Sequence, residues 1–495
     1  MNRSRRRAVF RLAAIVLGLT PLVLLEIICR IAGWGEQDPL VDPFAGFSSV
    51  RPLFQETADG REFRTAPDRL QYFREDRFDV QKPADEFRIF VFGGSTVQGH
   101  PFSLETSFPA FLQLSLQTAR PDRRWKVVNC GGVSYASYRL LPIVAECLNY
   151  EPDLFVFCSG QNEFLEDVTY ATRKDTAPLL APLWAAASRL QSLKAAIELV
   201  NGRKQQWPSA DIPASDNPLL PTEVHTRLDQ PEGLSLFHRD DVHAHEVAAH
   251  YGNNVSRLIQ LCRRRRLPLL IIQPPVNLCD CPPFKSEFSA TTTPEQQFAI
   301  REQLGNAARL AATDPAAAAQ LAETAAQSDP RFALAWYELG QLLLTAGNHT
   351  AAAAAFQKAL DEDVCPLRMT SPLQQMLRDT VLREHADFLD AHALLAARCK
   401  GGIVGEQVLV DHVHPSFRGH EDIAIAIAAW MQKTNLLQPA TADWESSARN
   451  ACRHALQSLD DTYFLQGRRR LQVLKNWAAG RATLPDMAPK QDGHP

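Results

Sequence analysis

Four short stretches carry side chains that can do chemistry together. Phe92-Gly93-Gly94-Ser95 closes a run of β-branched and aromatic residues that begins at Phe87. Glycines at the carboxyl end of a strand allow a sharp turn where open α/β sheets hold their ligands, and a serine there presents its hydroxyl to a cleft. That hydroxyl is a poor nucleophile until a base takes its proton. The candidate base is His414, in Asp411-His412-Val413-His414-Pro415 near the C-terminus. Asp411, three residues earlier, can fold back in a tight turn and accept the other imidazole N–H. That fixes the tautomer and stabilises the imidazolium. Asn129-Cys130-Gly131-Gly132-Val133-Ser134 and Ser159-Gly160-Gln161-Asn162-Glu163 each follow a short apolar strand and complete the set.

The four blocks, in this order, resemble those of the SGNH (GDSL-like) hydrolases, whose motifs carry Ser, Gly, Asn and a D-x-x-H pair. The resemblance covers roughly residues 87–167 and 264–430, with the stretches between read as insertions. It implies a nucleophile at Ser95, a base at His414 and its orienting acid at Asp411. It also implies three oxyanion donors: the serine's own N–H, a second-block N–H and the Asn162 amide. The second block departs from the family, because Ser134 stands at the glycine position counted from Asn129. The donor there is Ser134 or Gly132. The implied reaction is acyl transfer through an acyl-serine, with no cofactor and no metal. An α/β-hydrolase would show a further glycine two residues after its serine, where Val97 stands. A metal site from Asp411, His412 and His414 lacks a further cluster to complete it, so His412 reads as a neighbour in the loop. Cys279-Asp280-Cys281 is one residue too tight for the usual metal or redox pair and reads as two loop thiols.

The elements that must position these residues follow a βα rhythm. Strands are expected to end at Ser95, to run over 125–129, 154–158 and 267–273, and to include 386–389. Helices are expected over 108–119, 138–148, 244–263, 373–385 and 421–431. Alternation of this kind predicts an α/β fold, a flavodoxin-like doubly wound parallel sheet. Residues 35–86 read as a lead-in loop. Proline-rich residues 168–240, with a helix over 179–200, read as an insertion, and residues 443–477 as helical and basic before a disordered tail. Residues 296–363 turn alanine-rich. Trp336, Leu339, Gly340, Ala355 and Phe356 fall where a tetratricopeptide (TPR) unit places them, after a degenerate repeat over 303–328. This resemblance implies a helical insertion supported by its host, standing near the cleft without contributing to the chemistry, with a protein partner as one reading. The parts are therefore 1–34, 35–295 and 364–432 for the two hydrolase segments, 296–363, and 433–495.

The chain has 495 residues, enough to bury a sizeable core, and a formal net charge of −4, which gives no case for nucleic acid. Ten cysteines at this length are no disulfide scaffold. Five arginines in the first eleven residues precede an apolar run to about Ile28. That pattern predicts an uncleaved N-terminal transmembrane helix over 1–34, with the rest of the chain on the extracytoplasmic (periplasmic) side. Together with the family resemblance, this pattern gives the expectation of a membrane-anchored esterase, and the resemblance implies an O-acetylated carbohydrate as one substrate class. The alternatives are an O-acyltransferase to a polysaccharide, and a catalytically idle fold that docks an envelope or secretion partner through its helical insertion.

Overall fold

The computed structural model describes residues 20–21, 23–29, 46–47, 49–168, 219–221, 223–230 and 232–482. The chain divides into two compact units, residues 1–46 with 168–220, and residues 47–167 with 221–495. In the first, residues 20–21 and 23–29 are helical. The anchor expected over 1–34 falls mostly outside the described residues, as do the helix expected over 179–200 and the tail beyond 482. Among the described residues no helix is long and apolar enough to cross a membrane. The second unit holds the central sheet and every candidate site residue.

The stretch expected as a lead-in loop contains a three-stranded antiparallel sheet, β1 (Phe54–Glu56), β2 (Glu62–Thr65) and β3 (Arg77–Asp79). Asp59-Gly60, with Gly60 at φ 68°, turns the first hairpin, a local signal that the Arg/Asp-rich composition obscures. Three aromatics hold this sheet to its neighbours. Phe54 meets Phe78 edge-on at 5.0 Å, Phe63 lies 4.6 Å from Tyr150, and Phe78 meets Phe90 of the central sheet at 5.4 Å.

The central sheet is built of β4 (Glu86–Gly93), β5 (Arg124–Gly131), β6 (Leu154–Cys158), β7 (Leu269–Gln273) and β8 (Asp387–Asp390). All are parallel, in the order β8-β7-β6-β4-β5. Every residue of β4 and β6 is buried, as a sheet covered on both faces requires. The helices are α1 (Ser95–Gln98), α2 (Phe108–Ala119), α3 (Ser137–Cys147), α4 (Asp241–Arg264), α5 (Pro294–Leu310), α6 (Pro315–Ser328), α7 (Ala333–Thr345), α8 (His349–Asp361), α9 (Ser371–Glu384), α10 (Ala391–Ala396), α11 (Phe417–Lys433), α12 (Trp444–Ser458) and α13 (Asp461–Ala482). On one face Ile89, Val91 and Val156 pack against Phe111 and Leu116 of α2, Ile423 and Ile427 of α11, and Ala448 of α12. On the other, α3, α4 and α9 pack together. The last basic stretch is helical, in two helices. Leu459 is extended, and the Asp460 carboxylate accepts from Tyr463 N at 2.7 Å, starting a new helix.

Helices α5 to α8 form an alanine-rich pair of hairpins whose core includes Ala318, Ala322, Ala325, Phe332 and Leu339. Gly340 is required, because a Cβ there would stand 2.7 Å from the Phe356 ring. Trp336 is only half-buried, its Nε1 donating to the Pro330 carbonyl at 2.9 Å. The segment is tied to the α/β part. Tyr337 Oη and Gln341 Nε2 both donate to the Cys279 carbonyl, the former at 2.8 Å. Arg239 bridges to Glu362 at 2.7 Å.

Candidate active site

Counted along the chain, the strand order is 2-1-3-4-5, so the topology reverses beside β4, between it and β6. Ligands of such sheets sit outside the carboxyl ends of the strands at this switch point. Ser95 leaves β4 and Asn162 follows β6, so both lie there. A Cβ on Gly93 would collide with the Cys158 carbonyl of β6, and one on Gly94 would stand 2.6 Å from Asn162 Nδ2. The two glycines therefore let the chain turn sharply while Asn162 closes up on the turn. Ser95 becomes the first residue of α1, partly exposed, and its N–H has no acceptor within the helix.

Ser95 Oγ lies 2.8 Å from His414 Nε2, and His414 Nδ1 lies 2.6 Å from Asp411 Oδ2. A carboxylate only accepts, so Nδ1 carries the proton and Nε2 accepts from the serine hydroxyl. The Asp411–His414 turn is closed by its own backbone. Val410 N donates to the His414 carbonyl at 2.8 Å, and Asp411 Oδ1 accepts from Val413 N and His414 N at 2.9 and 2.8 Å. Burial pushes the Asp411 carboxyl up, but the neighbouring His414 and His412 and these N–H donors outweigh it and hold it well below the carboxylate range. Burial pushes His412 down to about 4 against the pull of Asp411, and its ring meets Phe284 edge-on at 5.3 Å. Among the described residues no group of three His, Cys, Asp or Glu is arranged to hold a metal.

The oxyanion candidates separate. Gly132 N donates to the Gly93 carbonyl at 3.0 Å, continuing the ladder between β4 and β5, so this N–H is already used. The sequence could not show that the ladder outruns the strand. Ser134 has φ 64°, the left-handed conformation its family glycine would take freely, and its N–H meets no acceptor among the described residues. Asn162 Nδ2 donates to the Tyr135 carbonyl at 3.0 Å, which orients the amide and leaves its second hydrogen available.

Several supporting residues had no sequence signal for the part they play, although Asn129 opens the second block. Asn277 holds the histidine loop from behind, its Nδ2 donating to the Asp411 carbonyl at 2.9 Å and its N to the His412 carbonyl at 3.0 Å. The fully buried Arg368 donates to the Asn277 and Cys281 carbonyls at 2.8 and 2.7 Å. Asn129 Nδ2 donates to the Val97 carbonyl at 2.8 Å and Gln98 Nε2 to the Tyr72 carbonyl at 2.7 Å, fixing α1. The His100 ring lies 5.3 Å from the His414 ring. A cavity of about 640 Å³ between α4, α8 and α9 does not include Ser95 or His414. Its charges are satisfied internally, with Arg331 bridging Asp241 and Glu362, so it is a feature apart from the triad geometry.

A tetratricopeptide-repeat family model matches residues 307–363, well under half of the chain. No curated protein matches. Similar solved structures include a protein described as lipolytic, of the G-D-S-L family, from Desulfitobacterium hafniense, at 10% identity and TM-score 0.29, covering 69% of this chain and 97% of that one. The acetylxylan esterase Axe2 from Geobacillus stearothermophilus is 11% identical at TM-score 0.29, covering 69% and 93%. A lipase/acylhydrolase from Enterococcus faecalis is 12% identical at TM-score 0.31, covering 72% and 100%. Likenesses at this level carry no argument about what this chain does, and the functional reading stands on its own side-chain geometry.

Proposed function

We propose that the protein is a serine ester hydrolase of the SGNH type. The observation that carries this reading is the continuous hydrogen-bonded line Ser95–His414–Asp411, at 2.8 and 2.6 Å. As Ser95 Oγ attacks an ester carbonyl, His414 Nε2 takes its proton and buried Asp411 stabilises the imidazolium. The oxyanion is met by the N–H groups of Ser95 and Ser134 and by Asn162 Nδ2. His414 then returns the proton to the leaving alkoxide, which departs as the alcohol. Water, deprotonated by the same base, opens the acyl-serine; a sugar hydroxyl in its place gives the transferase variant. An O-acetylated carbohydrate is the proposed substrate class.

The arginine-flanked N-terminus supports membrane anchoring with the hydrolase unit outside the cytoplasm; Val23, Leu24, Leu25, Ile27 and Ile28 are between 45% and 56% exposed. The tetratricopeptide match favours a protein partner at α5 to α8, either beside catalysis or, in a catalytically idle scaffold, instead of it. Fluorophosphonate labelling of residues 35–495 separates the two. The hydrolase reading expects one adduct, mapped to Ser95 and lost in Ser95→Ala. A native protein that is never labelled, or labelling elsewhere, sinks it.

A further inference from the structure

Two arginines that make no ion pair among the described residues stand beside the approach to His414. Helix α13 lies against the segment just after Ser95. Arg470 Nε donates to the Pro101 carbonyl at 2.6 Å and Nη2 to the Phe102 carbonyl at 2.8 Å. Tyr463 Oη accepts from Ser103 N at 3.1 Å, and a side chain at Gly467 would collide with the Phe102 ring. Arg470 is thus held next to His100, whose ring packs on that of His414.

Arg74 comes in from the lead-in sheet. The Tyr72 carbonyl takes the Val133 N–H at 2.8 Å and Gln98 Nε2 at 2.7 Å. Phe73 closes on Gly132, where a Cβ would stand 2.7 Å from its ring. This holds residues 72 and 73 between α1 and the loop that bears Ser134, and Arg74, next in the chain, is close enough to act on both His100 and Arg470. Among the described residues neither guanidinium forms an ion pair, and Arg74 Nε is buried with no partner. The acid that acts on Arg470, Glu105, is exposed and makes no ion pair with it. Burial depresses Arg470, and Arg74 adds to this. His100 is pushed down to about 3 by burial first and then by His414, against the pull of Asp411, with both arginines adding a smaller push.

We propose that Arg74 and Arg470 form an anion site beside the catalytic histidine, so that the substrate is an ester bearing a carboxylate or another oxyanion near its scissile group. Guanidinium groups match oxyanions in fork geometry and strengthen as water leaves the site. Without an anion, the two charges also oppose the imidazolium that forms on His414 as Ser95 attacks. A bound substrate anion relieves that opposition most in the transition state, so it raises kcat and not only affinity.

This inference rests on the acyl-serine reading, and the experiment keeps the two apart. Wild-type protein is given 4-nitrophenyl hydrogen glutarate and 4-nitrophenyl butyrate, and the ratio of their kcat/KM values is measured. The anionic ester is expected to win by about tenfold or more, as a charge-assisted hydrogen bond gives, and the preference should shrink with added salt. Arg74→Gln, checked for an unchanged Tm, should reduce the ratio about tenfold, with Arg74→Lys recovering part of it. Arg470→Gln should act in the same direction. A ratio that favours butyrate, or one that neither substitution moves, overturns the anion site. Calorimetric binding of glutarate to Ser95→Ala reads the same site without turnover. Glutarate binding that Arg74→Gln abolishes, in a protein that fluorophosphonate fails to label, would keep the anion site and discard the hydrolase. Labelling at Ser95 with no glutarate binding would do the reverse. Glucose 6-phosphate and glucose 6-sulfate in the same assay distinguish the kinds of oxyanion.

Discussion

Two histidines lie two residues apart in one loop, and only one faces the serine. His414 has both ring nitrogens engaged, by Ser95 and Asp411, whereas His412 packs on Phe284. His414→Ala should therefore lower kcat by about 10³-fold or more, and Asp411→Asn somewhat less. His412→Phe should leave kcat within a few-fold. Steady-state rates on a small acetyl ester check all three, and a larger loss at His412 would move the base. Asn162 offers one free amide hydrogen beside the Ser95 turn, so Asn162→Ala should lower kcat by about 10²- to 10³-fold with little change in KM. A loss expressed in KM alone would assign Asn162 to ground-state binding.

At the scale of elements, the histidine loop is only as well placed as the segment behind it. Asn277 joins that loop to residues 277–281, and α7 joins the same segment through Tyr337 and Gln341 on the Cys279 carbonyl. Asp363, the last residue of the 296–363 stretch, is buried and accepts from Phe284 N and Lys285 N at 2.8 and 3.0 Å. Removing 296–363 whole would strip these braces, so the stretch is expected not to behave as a detachable module. Asn277→Ala should cost about 10-fold in kcat on a small ester, because it frees the Asp411 carbonyl. Replacement of 296–360 by a flexible linker should cost a comparable factor at equal thermal stability. An unchanged rate in the shortened protein would restore the modular picture.

Across the whole molecule, three histidines with depressed pKa values make stability depend on pH. Burial holds His412 at about 4 and His100 and His420 at about 3, and in the unfolded chain each titrates near 6.5. Between those values the unfolded state binds more protons than the folded one, so stability falls as pH falls from about 6.5 towards 4. Asp411 acts in the same sense at lower pH. Its folded pKa is depressed, so its contribution is present above the unfolded carboxyl value and lost as pH falls through the folded one. Urea midpoints should therefore drop between pH 7.5 and 5.5 at an unchanged m-value. A midpoint that holds or rises would mean these rings are charged in the folded state.

The serine, histidine and aspartate that meet in one hydrogen-bonded line, and the order of strands and helices, could be read from the residues themselves, while Asn162 came with the resemblance of the four blocks. Each is written locally, as glycines after an apolar strand, a three-residue Asp-to-His spacing, or a period of apolar positions. What the sequence left open depended on which backbone groups meet across the chain. Ser134 rather than Gly132 has the open N–H because the ladder between β4 and β5 runs on to Gly132. The lead-in forms a sheet because Phe54, Phe63 and Phe78 find Tyr150 and Phe90, far along the chain. Asn277, Arg368 and Arg470 work through backbone carbonyls, acceptors that every residue carries and that no side-chain pattern marks. Only the folded chain decides which of those carbonyls a given side chain meets.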